Sequence, residues 1–158
     1  MKPIRVLFVC LGNICRSPLG EGILKDMIHS RGLEGKIVVD SAGTGAYHVG
    51  EKPNRQAMAV AHKRGIDISK QRARQLERDD LDRFHHILCM DRQNLTDAKA
   101  LGRSNSNITL LMNYHPDNAD PDVPDPFYGG EEDFHLVYDL VEEACQGFLD
   151  SLEREFGA

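Results

Sequence analysis

A short apolar segment that leads into a tight turn and then into a helix start constrains the fold of this chain most strongly. Residues 4–9 are rich in β-branched and aromatic side chains and too short for a confident helix, so they predict a buried strand that ends at Cys10. The Gly-Asn pair at 12–13 tolerates the positive φ that a tight loop needs. The Ser-Pro pair at 17–18 predicts an N-cap and first helical residue, and hence a helix to about residue 31.

The rest of the chain alternates predicted strands with predicted helices. This alternation predicts an α/β fold, with a central four-stranded parallel sheet and helices on both faces, in a single domain over residues 1–158. Ligands of such sheets bind beyond the carboxyl ends of the strands, which is where Cys10 falls. The further strands are predicted over 36–40, 84–90 and 107–112, and the further helices over 54–64, 93–101 and a C-terminal apolar stripe at 134–152.

The turn after the first strand has the features of an oxyanion site. Backbone N–H groups and the positive end of a helix dipole point at one small volume. Five residues separate Cys10 from Arg16, enough for the chain to loop around a tetrahedral anion and bring the guanidinium opposite the sulfur. The planar guanidinium of arginine can bind two oxygens at once. A nearby positive charge and the end of a helix dipole also favour the thiolate form of a cysteine over the thiol. We therefore interpret Cys10 as a nucleophile.

Two other interpretations of these cysteines are open at this point. A cysteine in an apolar stretch is commonly a small buried hydrophobic residue. Cys10 and Cys15 could instead be zinc ligands, but a structural site needs about four, and the chain has no matching pair at ligand spacing. No metal or cofactor is therefore expected.

A stiff acidic loop late in the chain offers the proton that a phosphate ester's leaving group needs. Asp125 lies between two prolines, which fix φ and push the preceding residue towards extended geometry. Stiffness suits a group that must deliver a proton to one atom. Phe127 and Tyr128 follow the second of these prolines and offer an apolar wall for an aromatic substrate. A solvated turn aspartate is the alternative, and it explains Asp120 and Asp122 better.

Residues 10–18 and 123–128 together resemble the low-molecular-weight protein tyrosine phosphatase family, whose loop reads C-L-G-N-I-C-R-S-P and whose acid lies in a D-P-Y/F-Y segment. Matches at 40–44 and 90–92 extend the resemblance over essentially the whole chain. It implies hydrolysis of protein phosphotyrosine and small aryl phosphates through a phosphocysteine, on a tyrosine-phosphorylated protein partner. The implied catalytic residues are Cys10 as nucleophile, Arg16 as phosphate ligand and Asp125 as general acid and base.

The resemblance also implies roles for the residues around these three. Asn13 and Ser41 match residues that hydrogen-bond each other and support the loop, and Ser17 matches a hydroxyl that stabilises the thiolate. Cys15 matches a cysteine that can form a reversible disulfide with Cys10. The implied substrate-binding set is Leu11, Gly12, Asn13, Ile14, Cys15 and Ser17 in the loop, with Tyr47, Phe127 and Tyr128 outside it.

Composition narrows the partners and the compartment. A formal net charge of −6 argues against nucleic acid, whose binders usually present a basic face. The apolar run at 6–11 is far shorter than a membrane span, and no signal-peptide pattern is visible. A catalytic thiolate suits a reduced, cytoplasmic setting. We expect a monomer or a weak homodimer, and structural or surface roles for all seven histidines.

Three alternative functions are weighed against phosphotyrosine hydrolysis. A thiol-dependent arsenate reductase on the same fold needs further redox cysteines in a mobile segment, and Cys89 falls in a predicted strand. Protein-arginine phosphatases resemble this loop but carry threonine where this chain has Ile14. A non-catalytic phosphate-binding module would be expected to lack Cys10 or Asp125, and both are present.

Overall fold

Four strands and five α-helices make up the computed structural model, which describes residues 2–117 and 120–157. The strands are β1 (Ile4–Cys10), β2 (Ile37–Gly43), β3 (His86–Cys89) and β4 (Asn107–Leu110). The helices are α1 (Arg16–Ser30), α2 (Arg55–Lys63), α3 (Asp80–Arg83), α4 (Arg92–Lys99) and α5 (Glu131–Gly157), and a 3₁₀ turn covers Leu111–Tyr114.

All four strands are parallel and lie in the order β2-β1-β3-β4. The chain therefore moves outward from β1 to β2, and then crosses back to place β3 on the other side of β1. The crevice between the carboxyl ends of β1 and β3 is the switch point where open α/β sheets bind ligands. Cys10 ends β1, and Asp91 follows β3 at the same edge of the sheet.

Helices cover both faces of the sheet, as the alternation predicts. The larger core packs the apolar sides of α1, α2 and α5 against one face, with Phe8, Leu88 and Phe148 fully buried in it. A smaller core lies under α3 and α4 on the other face, around Leu7 and Ile87. Because residues 6–10 of β1 are buried on both faces, this part of the strand is continuously apolar and not alternating.

Several local predictions are corrected by the structure. Helix α1 begins at Arg16 with Cys15 as N-cap, because the hydroxyl of Ser17 bonds to Cys10 and Asn13 and does not cap the helix. Of the Gly-Asn pair, only Asn13 has positive φ, at 57°. Strand β2 continues to Gly43, and the segment after residue 110 turns into the 3₁₀ helix, where a strand was expected to 112. The short helix α3 was not expected.

Candidate active site

The loop between β1 and α1 wraps its backbone around the sulfur of Cys10. The left-handed conformation of Asn13 turns its backbone N–H towards Cys10 Sγ, at 3.3 Å. The Ser17 hydroxyl lies 3.0 Å from the same sulfur. Both groups stabilise a negative charge there, because hydrogen bonds to the charged form favour it.

The side chain of Asn13 supports this loop from beneath. Its Nδ2 donates to Ser17 Oγ at 2.8 Å and to Ser41 Oγ at 3.0 Å, and its Oδ1 accepts the backbone N–H of Arg74 at 3.0 Å. The bond to Ser41 is the pairing that the family resemblance implies. Asn13, Ser17 and Ser41 are all buried, so these bonds are shielded from water.

The end of β2 touches the loop so closely that only glycine fits. A Cβ on Gly43 would lie 2.8 Å from the carbonyl oxygen of Leu11 and 3.0 Å from the backbone nitrogen of Asn13. The next residues hold the loop by backbone bonds, from Thr44 N–H to Cys10 O and from Gly45 N–H to Leu11 O, each 2.9 Å. These bonds hold Cys10 and Leu11 to the residues that follow β2.

Arg16 is buried and held by groups from beyond β3. Its Nη1 donates to Asp91 Oδ2 at 2.7 Å and to the carbonyl oxygen of Val123 at 2.9 Å, and its Nη2 lies 3.6 Å from Asp125 Oδ2. Burial alone would lower the pKa of Arg16, but the negative Cys10, Asp91 and Asp125 around it raise that pKa overall. A fixed positive charge therefore faces the loop.

The acidic loop is attached to the end of β3. Buried Val123 donates its N–H to the carbonyl oxygen of Met90 at 2.8 Å, and Asp122 forms an ion pair with Arg92 at 3.0 Å. Asp125 then projects beside Arg16 with its side chain 43% exposed, and its Oδ1 accepts the N–H of Phe127. An exposed carboxyl in this position can reach a leaving group at the mouth of the site.

A cavity of about 380 Å³ lies over the loop, between Cys10 and the aromatic rings of Tyr47, Phe127 and Tyr128. Phe127 stacks edge-on against Tyr128, with ring centroids 4.8 Å apart, and the His48 ring lies 5.9 Å from Phe127. The cavity is lined by Cys10, Leu11, Gly12, Ile14, Cys15, Arg16, Tyr47, His48, Asp125, Phe127 and Tyr128.

The structure brings together the residues that the sequence singles out. The three with implied catalytic roles line one cavity with Tyr47, Phe127 and Tyr128, while the side chains of Asn13, Ser17 and Ser41 lie beneath it.

The sequence predicted only a structural or surface role for His48, but its ring lines the cavity. It gave no role to Asp91, which contacts Arg16, or to Glu21, which contacts Ser41. The Met90-Asp91-Arg92 match was the one available signal for Asp91.

The four cysteines are free thiols in the structure and differ in environment. Burial, helped by the nearby Cys10 and Asp125, raises the pKa of Cys15 to about 12. Burial likewise raises the pKa of Cys89 to about 12. These two therefore stay protonated at neutral pH, and Cys10 alone has the loop donors that stabilise a thiolate.

Neither a metal site nor a membrane span is found in the described part of the chain. Within residues 2–117 and 120–157, no three metal-binding side chains come together. Over the same ranges, no helix combines the length and the apolar character needed to cross a bilayer.

Comparisons with known proteins agree on one family. The sequence model described as low molecular weight phosphotyrosine protein phosphatase matches residues 5–157. The low molecular weight protein-tyrosine-phosphatase YfkJ of Bacillus subtilis is 41% identical over 154 residues, covering 96% of this chain and 97% of its own. The phosphatase of Gallus gallus is 39% identical over 149 residues, covering 92% and 93%.

Solved structures agree with the sequence matches. The crystal structure of YfkJ superposes with a TM-score of 0.93 at 39% identity, covering 98% of both chains. A Drosophila arginine phosphatase superposes with a TM-score of 0.88 at 32% identity, covering 94% of this chain and 98% of that one. The α/β fold is thus shared across these proteins, and this chain belongs to the low molecular weight phosphotyrosine protein phosphatase family.

Proposed function

We propose that this phosphatase hydrolyses protein phosphotyrosine and small aryl phosphates, with Cys10 as nucleophile, Arg16 as phosphate ligand and Asp125 as general acid and base. The observation that carries the proposal is the convergence of these three side chains on one cavity with aromatic walls. The sulfur has two hydrogen-bond donors, the guanidinium is fixed, and the carboxyl stands at the open side.

The first step transfers the phosphoryl group to sulfur. The Cys10 thiolate attacks phosphorus in line as the bond from phosphorus to the aryl oxygen breaks, and Asp125 gives its proton to that oxygen. Arg16 and the loop N–H groups hold the equatorial oxygens, whose charge they stabilise without reorganisation. The products are a phenol, a phosphocysteine and an ionised Asp125.

The second step uses the same groups in reverse. Ionised Asp125 takes a proton from water as the water oxygen attacks phosphorus, and the bond from phosphorus to sulfur breaks. The Ser17 hydroxyl and the Asn13 N–H stabilise the thiolate that leaves. Inorganic phosphate and the starting enzyme result.

The walls of the cavity favour an aromatic ester. Tyr47, Phe127 and Tyr128 surround the mouth, and Tyr47 and Tyr128 are 74% and 97% exposed, so they can contact a protein-borne side chain. Ile14 lines the cavity where arginine phosphatases carry threonine, and it offers no hydroxyl to a guanidinium. Phosphotyrosine is therefore preferred to phosphoarginine.

Arsenate reduction fits the cysteines poorly. Cys89 is fully buried in β3 on the sheet face that packs against α3 and α4, and its pKa is raised to about 12 by burial. A resolving thiol must reach the sulfur of Cys10 and ionise to attack it.

Three further statements stay predictions from the sequence. They are a reduced, cytoplasmic setting, a monomer or weak homodimer, and no nucleic-acid partner.

The nucleophile is tested by Cys10→Ser with a chromogenic aryl phosphate in EDTA. Turnover should vanish, while inorganic phosphate still binds, measured by calorimetry. Appreciable residual turnover would refute the assignment. In the wild type, activity should fall towards both strongly acidic and strongly alkaline pH, because the reaction needs Cys10 ionised and Asp125 protonated.

The acid is tested with aryl phosphates whose leaving phenols differ in acidity. Asp125→Asn should make the rate depend steeply on that acidity, whereas the wild type depends on it weakly, because a poor leaving group needs the proton most. Asp120→Asn, an exposed aspartate of the same loop, is the matched control and should behave as the wild type. A flat dependence in Asp125→Asn would remove Asp125 from the mechanism.

A further inference from the structure

Glu21 is a buried carboxylate beneath the phosphate loop that the reaction steps above do not use. It lies on α1 and is only 6% exposed. Its Oε1 accepts the Ser41 hydroxyl at 2.6 Å, and its Oε2 accepts Lys25 Nζ at 2.5 Å. Burying a carboxylate is costly unless partners satisfy it, so this placement calls for a physical reason.

We infer that Glu21 is a positioning residue for the Cys10 thiolate. It stands at the far end of a chain of four hydrogen bonds, which runs from its carboxylate through Ser41, Asn13 and Ser17 to Cys10 Sγ. The inference rests on the proposed role of Cys10 as nucleophile.

The hydrogen-bond directions in this chain follow from the Asn13 amide. The backbone N–H of Arg74 donates to one amide atom at 3.0 Å, which identifies that atom as the oxygen. The other amide atom is the nitrogen, which can only donate, and it faces the hydroxyls of Ser17 and Ser41. Both hydroxyls therefore accept from Asn13, and each keeps one hydrogen for its other neighbour.

Those two remaining hydrogens have one acceptor each along the chain. The Ser41 hydrogen points to Glu21 Oε1 and the Ser17 hydrogen points to Cys10 Sγ. Glu21 thus keeps the Ser41 lone pair turned towards Asn13. Without that acceptor, the buried Ser41 hydroxyl would rotate to donate to another group. The Asn13 side chain would then lose its hydrogen bond to Ser41. The Ser17 hydrogen would then be less well aligned on the sulfur.

The test compares Glu21→Leu with Glu21→Gln, which keeps an oxygen acceptor for Ser41. Glu21→Leu should lower kcat about tenfold and change KM less than about twofold, because the loss falls on the thiolate and not on phosphate binding. Glu21→Gln should keep most of kcat. The pH at which alkylation of Cys10 by iodoacetamide reaches half its maximal rate should rise by about one unit in Glu21→Leu alone.

A double-mutant cycle with Ser41→Ala separates positioning from a general loss of stability. Both changes break the same link, so Glu21→Leu should cost nothing further in kcat once Ser41 is alanine. A merely structural role would instead give losses that multiply. Glu153→Leu removes a carboxylate paired with Arg31 on the surface, and this control should leave kcat unchanged.

Wild-type kcat and alkylation behaviour in Glu21→Leu, or losses that multiply in the cycle, would overturn the inference. Should Glu21→Leu fail to fold, Ser41→Ala alone carries the test: a lower kcat and a raised alkylation midpoint support the chain, and normal values refute it. Turnover by Cys10→Ser would be a different failure, because it would remove the nucleophile and leave nothing for Glu21 to position.

Discussion

Replacing Asp91 tests whether Arg16, the proposed phosphate ligand, is held by residues that follow β3. Asp91 has two separate contacts, one for each carboxylate oxygen. Its Oδ2 accepts Arg16 Nη1 at 2.7 Å, and its Oδ1 accepts the backbone N–H of Asn94 at 2.8 Å as the N-cap of α4. Alanine removes both contacts, whereas asparagine has a single oxygen acceptor and can keep only one of them.

The two contacts set the expected loss of stability. A hydrogen bond between charged groups contributes about 1.5–3 kcal/mol, and a lost N-cap costs about 1 kcal/mol. Asp91→Ala should therefore lower the free energy of unfolding by about 2.5–4 kcal/mol. Asp91→Asn should lower it by about 1–3 kcal/mol, because its single oxygen can still accept from one of the two donors.

The same change should also lower activity, through the position of Arg16. With Asp91 gone, the carboxylate that stays within ion-pair distance of the guanidinium is Asp125, whose Oδ2 lies 3.6 Å from Arg16 Nη2. Attraction to Asp125 would draw the guanidinium of Arg16 away from the phosphate oxygens. It would also hold the Asp125 carboxylate in an ion pair, in which it cannot donate a proton. We expect kcat/KM for an aryl phosphate to fall about tenfold to a hundredfold in Asp91→Ala, and less in Asp91→Asn.

Urea unfolding and steady-state kinetics on the same preparations measure both effects. Asp139→Ala is the control, because it breaks the surface ion pair with Arg64 and should cost less than about 1 kcal/mol with unchanged kcat/KM. A loss of stability below about 1 kcal/mol in Asp91→Ala, together with wild-type kcat/KM, would show that Asp91 does not hold Arg16.

Two further predictions concern pH and oxidation. Burial alone would raise the pKa of Asp80, but hydrogen bonds from Arg74 and a backbone N–H lower it overall. Its stabilisation is therefore present above the unfolded pKa of about 3.9 and is lost as pH falls through the folded value. The urea-unfolding gap between wild type and Asp80→Asn should narrow from pH 7 to pH 3, while exposed Asp79→Asn should show no gap. Peroxide should convert the Cys10 thiolate to a sulfenic acid, which the Cys15 thiolate attacks, releasing hydroxide and forming a disulfide. Because burial raises the pKa of Cys15 to about 12, the disulfide should form faster at pH 9 than at pH 7. An intact mass that shows no loss of two hydrogens after peroxide treatment would contradict the disulfide.

The features that depend on near neighbours in sequence could be predicted. The strand at 4–9, the helix after Asn54 and its end at Gly65 follow from side-chain type and spacing, and the structure has them. The α/β class follows from alternation alone. The N-cap of α1 was wrong for a physical reason: Ser17 has the right chemistry for a cap, but Cys10 and Asn13 compete for its hydroxyl.

The residues that support the loop and Arg16 could not be predicted from the sequence, because their partners are distant along the chain. Glu21 lies one turn beyond Ser17 on α1, and nothing near it shows that β2 will bring Ser41 to its carboxylate. Asp91 caps α4 in the structure, but 75 residues separate it from Arg16. Neither contact leaves a periodic pattern in the sequence, since each depends on strand order.

Strand order also explains why the proposed reacting residues come from distant parts of the chain. Cys10 and Arg16 must surround one tetrahedral anion, so a single loop after β1 supplies both. The proton must come from the opposite side of phosphorus, and the chain reaches that side only after it crosses β1 to form β3. Arg16 is the group at which the two sides meet: it starts α1, yet Asp91 and the Val123 carbonyl from beyond β3 hold its guanidinium. Any change that loosens the end of β3 should therefore disturb both the proposed phosphate ligand Arg16 and the proposed proton donor Asp125.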